Sequence, residues 1–188
     1  MLPEQIKNYR DVYTLKDGAT VLLRAMTPDD KQRLIDMFST VSDEDVRYLR
    51  DNIRDPALIE SWSKGLDYSR VLPLLALVKD RVVGQGTLHL RSGPERHIGE
   101  VRIFLSKDFR RRGLGTRMLN TLIDLARRMD LQILKAEVVA DQSKVIKAFQ
   151  NLGFTLSCTF EDYFMLPDGD MRDVTILFLR LRSKRDDF

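Results

Sequence analysis

Apolar residues in this chain recur with two different periods, and the alternation of the two predicts its elements. Val12–Leu15 and Thr20–Ala25 are short β-prone stretches on either side of Lys16-Asp17-Gly18, which reads as a hairpin turn. Thr27-Pro28-Asp29-Asp30 combines a capping hydroxyl, a first-turn proline and acids, as a helix start does. Leu34, Ile35, Met37, Phe38 and Val41 follow it at helical spacing. Ser42 to Asp45 is a second start, leading to Val46 and Leu49. Asp55-Pro56 breaks the pattern, and Leu58, Ile59 and Trp62 predict another short helix.

Strand-like runs come next. Leu72–Val78, Val82–Leu90 and Ile98–Leu105 read as a meander, with turns at Lys79-Asp80-Arg81 and Ser92–Glu95. After the turn Phe109–Gly115, a helical stripe appears: Leu114, Met118, Leu119, Leu122, Ile123, Leu125, Ala126 and Met129. Ile133–Val139 is β-rich and Ala140–Leu152 helical. Phe154–Leu166 and Asp173–Leu181 are strands joined across Pro167–Asp170, and the tail Arg182–Phe188 is charged. With no repeat, low-complexity segment or linker, residues 1–188 read as one domain, 1–18 being an N-terminal arm and hairpin strand.

Composition narrows the function classes. The formal charge is only +3, so nothing in the balance argues for nucleic acid as a partner. No apolar run is long enough to span a bilayer, and MLPEQIKNYR lacks the apolar segment of a secretory signal, so no membrane partner is expected. The single cysteine, Cys158, excludes an internal disulfide framework and fits a reducing cytoplasm. Cys158 lies in a β-like run with no base nearby in sequence, which favours packing. His89 and His97 make no recognisable metal motif.

The candidate chemistry sits at Phe109–Gly115, F-R-R-R-G-L-G, between a β-prone run and an amphipathic helix. A helix that begins at a glycine-rich turn leaves its first N–H groups unpaired. Glycine lets a ligand approach that backbone, and the helix dipole favours negative charge there. Three preceding arginines add to this, and the whole suits a pyrophosphate. A basic turn before an ordinary surface helix is the plainer alternative. No Lys-Ser/Thr follows the second glycine, which argues against a Walker A loop, and the spacing is not the Gly-x-Gly-x-x-Gly of a dinucleotide fold.

Arg110-x-x-Gly113-x-Gly115 matches the acyl-CoA pyrophosphate motif (Arg/Gln-x-x-Gly-x-Gly/Ala) of the GNAT superfamily of N-acetyltransferases. From about Thr20 the element order also resembles that fold. Glu100–Leu105 and the turn Ala140-Asp141-Gln142 are most similar to bacterial protein-lysine acetyltransferases. The resemblance implies an α+β (α/β mixed) domain. Its central twisted mixed sheet has about seven strands, including a splayed pair, and about four helices flank it. It also implies acetyl-CoA as cosubstrate and a primary amine as acceptor, a protein lysine first. A small amine (polyamine, amino acid or drug) and a non-catalytic acyl-CoA sensor are the competing readings. A monomer and a homodimer are both compatible with the chain.

Carried over residue by residue, the resemblance assigns the pyrophosphate to backbone N–H groups of Arg110, Arg111, Arg112, Gly113, Leu114, Gly115 and Thr116. The pantetheine amides pair with the strand edge at Ile103, Phe104 and Leu105. The three arginine side chains either reach phosphates or form a solvated face, and Arg111 stands where the family often has glycine. Gln142 replaces a common asparagine that bonds the pantetheine arm. Glu100 takes the place of the general base, often acting through water. The plainer alternatives are a glutamate facing solvent or one paired with Arg102. The demand is real, because a lysine amine of pKa ~10.4 is neutral only about once in 10³ molecules near pH 7. Many relatives carry a tyrosine as acid in the last helix, where this chain has Phe149. Tyr163 replaces it only if the fold brings it close. The acid-rich stretch Ser42–Asp51 falls on the acceptor side, where it either attracts a cationic amine or is simply charged surface.

Overall fold

The computed structural model describes residues 3–181, so the charged tail expected at 182–188 lies outside the described residues. The chain forms α1 (Pro3–Ile6), β1 (Arg10–Thr14), β2 (Thr20–Ala25), α2 (Lys31–Ser39), α3 (Asp43–Val46) and α4 (Pro56–Lys64). It continues through β3 (Val71–Val78), β4 (Arg81–Leu90), β5 (Ile98–Leu105), α5 (Leu114–Arg128) and β6 (Ile133–Val139). It ends with α6 (Ser143–Asn151), β7 (Thr155–Met165) and β8 (Met171–Arg180). One mixed eight-stranded sheet runs in the order β1-β2-β3-β4-β5-β6-β8-β7. The resemblance implies about seven strands and the sheet has eight; β1, expected from the hairpin signal, pairs with β2 from Arg10↔Arg24 to Thr14↔Thr20. The four longer helices are the expected set, and α1 and α3 are single turns. No described helix is long and apolar enough to cross a membrane.

Local chemistry sets the helix starts. Asp30 is buried and accepts from the Thr27 N–H at 2.8 Å, while both oxygens take 2.6 Å hydrogen bonds from Arg24. Burial alone pushes an aspartate pKa up; here the Arg24 and Thr27 bonds outweigh it and the net direction is down. At α3 the Ser42 hydroxyl accepts from the Asp45 N–H at 3.2 Å, and at α4 Asp55 accepts from the Ala57 N–H at 2.9 Å ahead of Pro56. Residues Ala140–Gln142, expected as helix, form the turn into α6, with the Gln142 N–H donating to Val139.

Helices cover both faces of the sheet. Leu114, Met118, Leu122 and Ala126 of α5 and Phe149 of α6 join one core with Leu72, Leu74, Leu88, Val101 and Leu134. Leu34, Met37 and Phe38 of α2 and Ile59 of α4 join Leu75, Leu77 and Val82 in the other. Each fully buried leucine or methionine contributes about 1.5–3 kcal/mol. Helix α5 lies close because β4 has no side chain at Gly84, where a Cβ would come within 2.7 Å of Leu105 Cδ2 and 3.0 Å of Met118 Sδ.

One join in the sheet differs from all others. Strands β5 and β6 are its parallel pair, and they keep register only at Ile98↔Ile133, Gly99↔Leu134 and Glu100↔Lys135. Beyond Glu100 they part, leaving Val101–Leu105 with no register partner on the β6 side. On their outer edges both strands stay paired, β5 with β4 from Gly84↔Leu105 onward and β6 with β8 as far as Val139↔Val174.

Candidate active site

The turn before α5 is built by two glycines with different tasks. Gly113 caps the helix at φ +85°, in left-handed space, with nothing near its missing Cβ; backbone conformation selects glycine there. Gly115 has ordinary helical φ, but a Cβ would sit 3.2 Å from Leu105 Cδ1, so close approach to β5 selects it. The Arg117 N–H reaches the Gly113 carbonyl. The N–H groups of Leu114, Gly115 and Thr116 fall in the first turn, where no intrahelical acceptor exists.

The three arginines diverge. Arg110 turns back over the Phe104 ring, donates to the Leu105 carbonyl at 3.1 Å and pairs with Asp45 at 2.9 Å. It thereby ties α3 to the end of β5. Arg112 packs 4.2 Å over the Phe109 ring and pairs with Asp17 of the β1–β2 turn. Arg111 is exposed at φ +59°, and no side chain among the described residues pairs with its guanidinium. Two of the three are therefore clamps, and one is free to meet an anion. The family's usual glycine at this place is explained by the same positive φ.

A cavity of about 440 Å³ occupies the gap between β5 and β6. Val101, Ile103 and Val138, with Gln142, Val145 and Phe149 at α6, line it on the α5–α6 side of the sheet. Arg102, Phe104, Glu137 and Val139 line it on the opposite side, together with Thr87 and His89 of β4 and Arg50, Asp51 and Trp62 from the α3–α4 region. Period-2 alternation puts successive residues of a strand on opposite faces. Adjacent residues of β5 and of β6 can both reach one cavity because it passes through the sheet at the parting.

Residues 34–154 match a model described as the acetyltransferase (GNAT) family. The chain belongs to the GNAT acetyltransferase family. Similar solved structures include the GNAT domain of S. lividans PAT, at 22% identity and TM-score 0.78, covering 96% of this chain and 99% of that one. The ribosomal-protein-S5-alanine acetyltransferase from Vibrio fischeri superposes at TM-score 0.79 and 15% identity, covering 92% and 98%. The putative acetyltransferase yncA from Salmonella typhimurium, solved with its cofactor acetyl-CoA, gives TM-score 0.74 at 20% identity, covering 87% and 95%. At these identities the likeness speaks for the GNAT fold.

Within this GNAT fold the candidates named from the sequence fall in two groups. Ile103, Phe104 and Gln142 line the gap, Gln142 from the start of α6 with no side-chain cap bond. Leu105 and the turn Arg110–Thr116 lie outside the lining, joined to it by the close approach of Gly115 to Leu105 and Ile103. Glu100 is elsewhere. Its side chain is 3% exposed, below the cavity lining, where β5 and β6 still pair. Oε1 accepts from Arg102 Nε at 2.8 Å, Oε2 from Arg91 at 2.8 Å, and Lys135 Nζ stands 3.4 Å away. Burial works to raise this carboxyl's pKa; Arg102 and Lys135 overcome it and bring it down to about 2. Tyr163 is 57% exposed, its ring against Phe160, and it does not line the cavity.

Sequence reasoning assigns no role to Tyr48, Arg50, Thr87, His89 or Glu137, which the fold brings together. Tyr48 lines the cavity and bonds Asp141 at 3.1 Å, while Arg50 reaches over the opening to Glu137. His89 stands opposite Glu100 in the β4–β5 register, its Nε2 3.0 Å from Thr87 Oγ1. Burial first, then Arg102, lowers the His89 pKa to about 4, so its imidazole is neutral at pH 7. Their only signal in the sequence is alternation, His89 and Thr87 on β4 sharing a face with Glu100 and Arg102 on β5. Two of the four acids of Ser42–Asp51 are engaged within the protein, Asp43 with Arg54 and Asp45 with Arg110.

Proposed function

We propose that this chain transfers the acetyl group of acetyl-CoA to a primary amine by direct attack across the parted sheet. The observation that carries the reading is the cavity that opens through the sheet between β5 and β6, lined from both faces. The residues present fit the cosubstrate. First-turn N–H groups at Leu114, Gly115 and Thr116 and the unpaired Arg111 suit a diphosphate, and the free edge Val101–Leu105 suits the amides of the pantetheine arm. Gln142 and Val145 form the facing wall. When bound, acetyl-CoA supplies an activated acyl carbon. The chain's own task is to hold a neutral amine in line with it and to remove one proton.

For that proton the resemblance names Glu100, and the geometry favours a different carrier. A carboxylate held near pKa 2 by three cations is a poor acceptor, and Glu100 serves better as the anchor that orients Arg102 and Lys135. His89 is uncharged, faces the cavity and touches the Thr87 hydroxyl. With a pKa of about 4 it is a weak base, so it serves as a relay that passes the proton, released as the C–N bond forms, directly or through Thr87 to solvent. Phe149 donates no proton at the leaving thiolate, which takes one from solvent. The protein-lysine acceptor rests on the resemblance alone, and the primary amine is the reading that the site supports.

Thermal-shift titration with acetyl-CoA, CoA and free phosphate, followed by an amine screen, tests this. A true ligand held at about 100 Kd stabilises by about 2.7 kcal/mol. H89N is expected to cost about 10²-fold in kcat with acetyl-CoA binding retained. Stabilisation by CoA without turnover on any amine would instead mark a sensor.

A further inference from the structure

The polar floor of the cavity holds more cations than carboxylates. Arg50, Arg91, Arg102 and Lys135 surround Glu100 and Glu137, a cluster with two positive charges in surplus, which falls to one when the lining residues Arg70, Asp51 and Asp67 are counted with it. Every oxygen of buried Glu100 and half-buried Glu137 is taken. Glu100 Oε1 accepts from Arg102, and its Oε2 from Arg91 with Lys135 near. Glu137 Oε1 accepts from Lys135 at 2.7 Å, and its Oε2 from Arg50. The guanidiniums are not exhausted. Arg102 uses only Nε and Arg50 only one Nη, with no further hydrogen bond among the described residues, and both side chains line the cavity. They approach from two sides of the gap, Arg102 on β5 and Arg50 docked on Glu137 of β6 and over the Phe164 ring. Arg70 stands at the rim beside Asp67. Asp51 and Asp67 are the remaining lining carboxylates, and both are exposed to water, where screening weakens them.

We propose that the acceptor is a small amine that carries its own carboxylate, an amino-acid-type substrate whose carboxylate docks on the free Nη groups of Arg102 and Arg50. The inference rests on the acetyl-transfer reading and narrows its acceptor. A guanidinium fork matches a carboxylate in charge and geometry. A polyamine or an isolated lysine side chain finds no unengaged buried acid here, and the surplus cations repel it. The same surplus favours the neutral form of an incoming amine, which is the form that attacks.

The test is an initial-rate panel with the wild-type chain and acetyl-CoA at one pH and salt. Each amino acid is compared with its carboxamide and its decarboxylated amine, beside a lysine peptide and a polyamine. The acids are expected to exceed the amides in kcat/KM by about 10- to 100-fold. In R102Q that ratio collapses through KM for the acid, and R102K restores part of it. Equal rates on acid and amide, or a preference for the peptide or polyamine, overturn the inference while leaving acetyl transfer intact. A parallel fall for acid and amide in R102Q also overturns it, by assigning Arg102 to the reacting oxygen. Should R102Q not fold, R50Q and the wild-type panel decide. If no amine turns over, thermal shifts with amino acids against their amides in the presence of CoA decide. Carboxylate-dependent stabilisation keeps the subsite and removes the acetyl-transfer reading, and no stabilisation removes both.

Discussion

The turn Arg110–Thr116 and the charged floor around Glu100 are the two polar regions of this molecule that face the parted sheet, and they are made in opposite ways. The turn works with backbone. Its decisive residues are glycines, chosen by a left-handed φ at Gly113 and by contact with Leu105 at Gly115, and two of its three arginines are clamps. The floor works with side chains from β4, β5, β6 and the α3–α4 loop, brought together only by the sheet register and by Arg50 reaching across. A backbone site tolerates changes of side chain and fails when a side chain is added. A side-chain site fails when one partner is lost.

The largest expected effect breaks the first half of that contrast. G115V places methyls against Leu105 and displaces the start of α5. Acetyl-CoA-dependent kcat/KM should fall by about 10²-fold while the melting curve stays cooperative. On the floor, E100A leaves Arg91, Arg102 and Lys135 undercompensated and should cost about 1.5–3 kcal/mol, read by urea unfolding; E100Q should cost less.

Acid unfolding sharpens the comparison, because the floor carries two groups whose pKa values in the folded chain lie far below their ordinary ones. The folded pKa of His89, about 4, lies below its ordinary 6.5. Between those values the unfolded chain binds the extra proton, so this part of the stability is present above pH 6.5 and lost as pH falls toward 4. Glu100 acts one window lower. Its folded pKa of about 2 against an ordinary 4.5 gives stability that is full above 4.5 and lost as pH falls through 2. H89N should flatten the upper window and E100Q the lower in a melting-temperature series.

The smallest expected effect returns to the turn. R111G relieves a side chain held at φ +59° and should raise stability by about 0.5–1 kcal/mol, net of the added chain entropy. It should also weaken acetyl-CoA binding by less than about tenfold, since the loss is one exposed cation. An unchanged affinity would show the turn to be a purely backbone site.

The amino-acid sequence makes these two regions unequally legible. Arg110-x-x-Gly113-x-Gly115 is contiguous, so its spacing alone points to the turn. The strand limits Ile98–Leu105 and Ile133–Val139 are readable from β-prone runs bounded by turns. The first strand is legible as a hairpin arm through the Lys16-Asp17-Gly18 turn, although its five residues alternate only between exposed and half-buried. Alternation places Glu100 on the right face of β5, yet it does not say how deep a residue lies. It leaves solvent, pairing with Arg102 or a catalytic base as the choices; the Arg102 pair is present, and the depth of the carboxylate under Arg91 and Lys135 as well is what the pattern does not show.

Most of the elements, the glycine turn and the family are legible along the chain, because periodicity, capping and short-range motifs are properties of sequence neighbours; the single turn α1 and the start of α6 are not. Tertiary structure alone decided where β5 leaves β6, which arginines are bound to protein carboxylates and which face the cavity. Pairing partners, burial and the balance of charge are fixed between residues that lie far apart along the chain, as Arg50, His89, Arg102 and Glu137 do.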